Sequence, residues 1–324
     1  MKRTEPKNTR HIILYMFAML FVIMGFFIAI FPWQQSCTGS IIEKRQHSDS
    51  LRIINGIYQV PIPEQLYFAN EEVPLHLFDV RESLDRELQV NTYWHSQTIL
   101  LLKRANRFFP IIEPILKENG IPDDFKYLAV AESALTQAIS PSKAVGFWQI
   151  LEATGKELNL EITKEVDERY HIEKSTKAAC TYLIKNYKHY NNWTITAASY
   201  NFGRNGINKQ MERQLNTNYY DMVFGEETER YLFRILAIKA IFEDPQKYGF
   251  FFEKNDLYPP FDSYEVKVDT AITSIGKFAE LHGTSYKMLK ILNPWLRENY
   301  LPASQGKSYV IKLPSKGFRE NAYN

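Results

Sequence analysis

Hydrophobic positions recur along this chain with several different rhythms. From Ile12 to Phe31 the sequence reads IILYMFAMLFVIMGFFIAIF with no charged residue, about the 20 apolar residues that a helix needs to cross a hydrocarbon core. This run predicts a transmembrane helix. Residues 36–90 are polar and mixed, with Pro61 and Pro63 interrupting any long element, and they read as a spacer. Trp94, Ile99, Leu101, Leu102, Phe108, Phe109, Ile112, Ile115 and Leu116 then return at helical spacing up to Gly120, with Pro110 expected to split the run. The same period continues over 124–135, 150–158, 171–190, 193–200 and 226–243, and strand-like alternation is nearly absent before residue 260. After Tyr258, Pro259 and Pro260 stop any helix. Beyond them the pattern predicts a strand at 264–268, helices at 274–282 and 285–292, and a strand at 309–313. The expected architecture is mainly α: an N-terminal anchor (1–35), a spacer (36–90), a helical domain (91–257) and a small α+β module of β-α-α-β order (258–324).

Charge orients the first segment. Lys2, Arg3, Lys7 and Arg10 outweigh Glu5 ahead of the apolar run, so by the positive-inside rule the N-terminus stays in the cytoplasm and residues 36–324 cross. A cleaved signal peptide is the rival reading, but its apolar core is usually about 7–15 residues long and ends in small residues. Here Phe31, Pro32, Trp33 and Gln34 follow. Cys37 invites a lipidation reading, which Gln34, Gln35 and Ser36 fit poorly because such cleavage sites use small and aliphatic residues. The net charge of the whole chain is only +2, and most of the basic excess lies before the anchor. Nothing remains to track a phosphate backbone, so nucleic acid is not an expected partner. Cys37 and Cys180 are the only cysteines, too few for a disulfide framework.

Candidate chemistry begins in the helix after Gly120-Ile121-Pro122, where Asp123 and Asp124 suit a helix N-terminus. Phe125, Leu128, Ala129 and Glu132 share one face of that helix. A carboxyl group held among apolar side chains is desolvated, which raises its pKa toward the range a general acid needs. The plain alternative is that Glu132, in the last turn, bends out to solvent or pairs with a lysine. The seven histidines offer no pair at metal-ligand spacing, and the glycines form no phosphate loop after a strand. No cofactor and no metal are expected.

The residues that follow are more specific. Glu132-Ser133 is succeeded by a loop with Ser140 and Pro141, then by Gly146-Phe147-Trp148-Gln149, by Ala197-Ala198-Ser199-Tyr200-Asn201, and by Glu227-Thr228-Glu229-Arg230-Tyr231. In this order they resemble the four signatures of lytic transglycosylases with a goose-type-lysozyme-like domain: Glu-Ser, Gly-x-x-Gln, Ala-Ala-Tyr-Asn and Glu-Thr-x-x-Tyr. Gly-Phe-Trp-Gln looks more like the membrane-bound D-type branch of that family than the commoner Gly-Leu-Met-Gln. The likeness covers about residues 95–252. Two departures stand out: Lys143 where the family often has Gly, and Glu152 where it often has Pro. A residue with a Cβ resists the positive φ that Gly accepts, so Lys143 questions the loop's shape.

The resemblance implies a lysozyme-like helical fold and a peptidoglycan substrate in the periplasm, the enzyme being anchored by one pass through the inner membrane. It implies that Glu132 protonates the oxygen between N-acetylmuramic acid and N-acetylglucosamine, then takes a proton from the sugar's own C6 hydroxyl. The product ends in a 1,6-anhydro ring, and the second carboxylate of ordinary glycosidases is not needed. No second acid accompanies Glu132 in the signatures, although Asp123 and Glu113 are acids that folding can bring near. Ser133, Ser140 and Gln149 are implied to bind substrate or fix the loop, Tyr200 and Tyr231 to line the site and hold the Glu132 carboxyl, and Asn201 to contact sugar. For Phe147 and Trp148, groove lining and core packing stay equally open.

The tail resembles a LysM module, a fold that binds N-acetylglucosamine. Val268-Asp269-Thr270 keeps part of the usual Gly-Asp-Thr turn, and Asn293 agrees with the usual Leu-Asn after the second helix. Retained and lost sugar binding are both compatible with these residues. Two further readings of the whole chain remain: a hydrolytic muramidase of the goose-lysozyme type, and a non-catalytic wall-binding scaffold. The second has no need for a desolvated acid.

Overall fold

The computed structural model describes residues 58–303 and 306–323. The predicted membrane helix, Cys37 and the start of the predicted spacer lie outside the described residues. Among the described residues no helix is long and apolar enough to cross a membrane. The protein from Val60 onward forms one compact unit.

That unit begins earlier than the sequence pattern suggests. Val60, Leu66, Phe68, Val73 and Leu75 are all buried in the main core, and Tyr67–Phe68 (β1) pairs with Glu71–Glu72 (β2) in a small antiparallel hairpin. The second half of the expected spacer is therefore structural. Before Phe78 its apolar residues are too few and too irregular to show a period, but from Phe78 onward the expected spacer is a helix, whose buried Val80, Leu84 and Leu88 recur every four residues. The hairpin also has a polar task. The Glu71 carboxylate accepts from the Trp193 and Thr194 amides (2.6 and 2.8 Å) and from the Thr194 hydroxyl (2.7 Å), satisfying donors that a helix start leaves open.

Helices α1 (Phe78–Tyr93) and α2 (His95–Glu118) follow. Helix α2 runs unbroken through Pro110 and Pro114, against the expected split. Each proline costs a backbone hydrogen bond, but Ile112, Ile115 and Leu116 on either side are buried, and packing against the later helix Ile172–Tyr190 keeps the axis continuous. After a short 3-10 turn comes α3 (Lys126–Ser133), then α4 (Glu152–Glu157), α5 (Ile172–Tyr190), α6 (Trp193–Phe202), α7 (Arg204–Gln214) and α8 (Glu226–Glu243). Helix α7 was not expected: Ile207 is its one buried residue, so it carries almost no apolar stripe. Helix α8 is the opposite case. Tyr231, Leu232, Ile235, Leu236, Ile238 and Ile241 are all buried, the all-round burial of a central helix, and α8 packs against α1, α3 and α6.

The tail follows the predicted order: β3 (Ser263–Val268), α9 (Ile275–Leu281), α10 (Tyr286–Leu292), β4 (Tyr309–Pro314), with a short α11 (Phe318–Asn321) added. The strands pair antiparallel from Ser263 opposite Pro314 to Val268 opposite Tyr309. The tail is less separate than the proline boundary suggests. Its core of Ile275, Leu289, Trp295, Leu296, Ile311 and Leu313 also takes in Val145, Val166 and Tyr170 from the helical region.

Candidate active site

Phe125, at the N-cap of helix α3, and Leu128 and Ala129 within it are fully buried on one face, and Glu132 follows on the same face one turn later. The helix then stops abruptly, because Ala134 and Leu135 both take left-handed backbone angles (φ 54° and 53°). Arg104 donates to the Ala134 carbonyl at 3.1 Å and steadies this turn. The Glu132 carboxyl is thereby held at the end of an apolar wall.

Tyr231, itself 2% exposed, reaches Glu132 from α8 and donates its hydroxyl to Oε1 at 2.5 Å. Burial pushes the Glu132 carboxyl up to about 7, against the Tyr231 hydrogen bond and the positive charge of Arg234, which pull it down; Glu227 adds a smaller upward push. The desolvation cost wins because one hydrogen bond and one partly solvated guanidinium replace a full hydration shell. At neutral pH such a carboxyl is present in both protonation states, so it can give up a proton and take one back. Neither Glu113 nor Asp123 serves as its partner. Both are bound to Lys126, at 2.8 and 2.5 Å.

The loop between α3 and α4 is closed by its own polar groups. Ser140 exchanges backbone bonds with Ala144 and Lys143 and accepts from the Ala144 amide through Oγ at 3.0 Å. Gln149 bends back at φ 46° and donates through Nε2 to the carbonyls of Ala138 (3.1 Å) and Gly146 (2.9 Å). Gly146, at φ 79°, has no room for a side chain, since a Cβ there lies 2.3 Å from the Arg169 carbonyl oxygen. Lys143 does take the positive φ expected of glycine, at 63°. The loop shape is kept, and the strain of a side chain in that region is carried.

Tyr200 and Asn201, at the end of α6, meet Gln149 along one groove that Ile150, Tyr182 and Phe202 also line. Two expectations change here. The Tyr200 hydroxyl donates to the Trp148 carbonyl at 2.6 Å rather than to Glu132, so its role is to tie α6 to the loop, although it lies near enough for the Glu132 charge to help raise its pKa. Ser133 is buried and donates to the Ala129 carbonyl at 3.2 Å. Its hydroxyl faces back along α3 because the helix is still intact at that residue, and it braces the turn through its own carbonyl, which accepts from Thr136. Asn201 accepts from the Thr228 hydroxyl at 3.2 Å, joining α6 to the start of α8. Phe147 and Trp148 are core residues: Phe147 packs edge-on against Phe108, and the Trp148 indole donates to Thr176 at 2.8 Å.

Two arginines near this site carry no recognised signature. Arg234 stands one turn after Tyr231 and was legible as a same-face neighbour. Arg169 is buried and donates to the carbonyls of Lys143 and Ile150, both at 3.4 Å, and nothing in the local sequence marks it. Among the described residues no three His, Cys, Asp or Glu side chains gather as a metal site.

Two segments of the chain match described families. Residues 109–223 match the family described as the transglycosylase SLT domain, and residues 264–317 match the soluble lytic transglycosylase C-terminal LysM-like domain. The first match contains Glu132, Gln149, Tyr200 and Asn201 and ends before Tyr231. The chain is 28% identical over 246 residues to the membrane-bound lytic murein transglycosylase D of Escherichia coli strain K12, and equally to that of strain CFT073. The aligned part is 73% of this chain and 52% of each relative; the chain thus spans about half the length of the curated relatives it matches.

Proposed function

We propose that this chain, which carries matches to both an SLT transglycosylase domain and its LysM-like companion, is a peptidoglycan lytic transglycosylase with Glu132 as its single acid/base group. The observation that carries the reading is the Glu132 carboxyl, pushed to about 7 by burial and gripped by Tyr231, inside the segment that matches the SLT family. In the proposed reaction Glu132 donates its proton to the oxygen linking C1 of N-acetylmuramic acid to N-acetylglucosamine. The C1–O bond breaks, and its electron pair leaves with that oxygen. The Glu132 carboxylate then accepts the proton of the C6 hydroxyl as O6 bonds to C1. The acid is regenerated, no water is consumed, and a 1,6-anhydro ring closes the muramic end. Gln149 and Ser140 hold the loop, Asn201 and Tyr200 line the groove, and Ser133 supports the turn that aims Glu132.

The same reading places the enzyme at the inner membrane, held by the apolar run Ile12–Phe31 with the remainder in the periplasm. Its support is that run with its basic flank and the membrane-bound relatives. Residues 91–257 are taken as the lysozyme-like domain and 258–324 as the LysM-like module.

The test is digestion of purified murein sacculi by the full chain in detergent, with products read by mass spectrometry. Native protein is expected to release anhydro-muropeptides, and Glu132→Gln to lose about 10²–10⁴-fold in rate. Release of ordinary reducing ends would replace this reading with a hydrolytic muramidase; binding without cleavage would replace it with a wall-binding scaffold.

A further inference from the structure

The C-terminal module, which also touches α2 through Tyr258, Pro259 and Phe261, is bound to residues 161–173 of the helical region, and that segment also holds the loop that carries Gln149. On the module side, Val166 bridges to Leu296, the Asp167 amide donates to the Trp295 carbonyl at 2.9 Å, and the Arg297 amide donates to the Glu165 carbonyl at 2.8 Å. Side chains add to this. The Tyr300 hydroxyl donates to Glu165 at 2.9 Å, the Tyr309 hydroxyl donates to Glu161 at 3.0 Å, and Lys312 pairs with Glu173. The Arg297 guanidinium lies 3.9 Å from the centre of the Tyr170 ring.

The other side of the same segment faces the loop. Asp167, whose backbone grips the module, grips Arg169 with its carboxylate at 2.7 and 2.9 Å. Arg169 spans the loop by donating to Lys143 and Ile150, and its own carbonyl fills the space that Gly146 leaves open. The Gln137 amide donates to the Tyr170 carbonyl at 3.0 Å, and Val145 shares the module's hydrophobic core. A buried arginine with a fixed fork of donors transmits position well, because its partners cannot move independently.

We propose that the C-terminal module is a strut that sets the shape of loop 138–150, with Asp167 and Arg169 as its joint and Arg169 as a positioning residue for the cleavage reaction. The kinetic part rests on the transglycosylase reading; the conformational part does not. A module tied by backbone bonds on one side of a segment, while the other side clamps the loop, fixes where Gln149 and the Trp148 carbonyl lie. Through that carbonyl it also fixes Tyr200. Weakening the module's grip therefore relaxes the loop even though no module residue touches Glu132.

The test uses the full chain carrying Tyr300→Phe, Tyr309→Phe and Lys312→Met together, which removes three tethers and leaves the module core intact, beside Arg169→Gln and Arg169→Lys. Hydrogen exchange at the Gly146 and Gln149 amides is expected to quicken about tenfold or more in the triple variant and in Arg169→Gln. Turnover is expected to fall about 10- to 100-fold with KM within about twofold, by the same factor on a soluble murein tetrasaccharide as on sacculi. Arg169→Lys is expected to remain impaired, since one ammonium cannot span both carbonyls. Unchanged loop exchange in the triple variant overturns the proposal. So does a loss confined to sacculi, which marks the module as a sugar-holding arm instead. Native protein inactive on both substrates would overturn the transglycosylase reading, while the exchange result still decides the strut.

Discussion

At the scale of single residues, the catalytic proposal is a balance on one carboxyl group. Burial lifts Glu132 and the Tyr231 hydroxyl lowers it, so removing that hydroxyl must lift it further. In Tyr231→Phe the alkaline limb of the pH–rate profile is expected to move to higher pH, because the acid stays protonated longer. Its rate at pH 6 is expected to fall about five- to tenfold, the worth of one buried hydrogen bond that fixes the carboxyl. A profile measured from pH 4 to 9 separates the two effects. That Glu132 leaves the helix on its apolar face was legible in the sequence from the spacing of Phe125, Leu128 and Ala129, but in the last turn that spacing left burial and an outward bend both open, and the fold decides for burial. The partner of Tyr200 was not legible. A tyrosine beside a buried carboxyl has several acceptors in reach, and only the folded loop decides that the Trp148 carbonyl accepts its hydrogen bond.

At the scale of elements, α3, α5, α6 and α8 were each visible as apolar positions recurring at helical spacing. Helix α7 and the β1–β2 hairpin were not, and helix α1, whose Val80, Leu84 and Leu88 do form a stripe, was read as spacer. The first hides one buried residue in a polar surface, and the second is built from pairs too short to show alternation. The loop between α3 and α4 was legible through its motif residues, but its clamp was not, because Arg169, held by Asp167, reaches back 26 and 19 residues to Lys143 and Ile150. Lys143 gives this loop a measurable strain. With φ at 63° it sits where glycine is at ease, so Lys143→Gly is expected to stabilise the protein by about 0.5–1 kcal/mol if the strain relieved exceeds the entropy that glycine adds to the unfolded chain. Urea unfolding of the two proteins measures the difference, and a destabilised variant would show that the lysine side chain contributes more than its backbone costs.

At the scale of the whole molecule, the order of the tail was readable from alternation and proline placement, whereas its docking was not. The docking residues are polar groups scattered through the sequence, brought together only by the fold. One of them makes the interface sensitive to acid. Burial by itself would raise Glu173, but hydrogen bonds and charge from His171 and Lys312 outweigh that and lower it to about 2, from an ordinary 4.5. Because the folded protein then binds fewer protons than the unfolded chain, this group stabilises the fold above about pH 4.5, and the contribution is lost as pH falls toward 2. Lys312→Met is accordingly expected to be less stable than the native protein by about 1–2 kcal/mol at pH 7, with the gap closing toward pH 2.5. Denaturant titrations at both pH values check the sign.

The carboxylate of Glu71 reaches across more than a hundred residues of chain to seat the first turn of α6. The helix that bears Tyr200 and Asn201 is thus started by a side chain belonging to a stretch that resembles a tether. Anyone trimming the molecule to its smallest working core by following the helices alone would begin at Phe78 and leave three donors at that helix start facing water. A fragment that keeps its groove has to retain the hairpin.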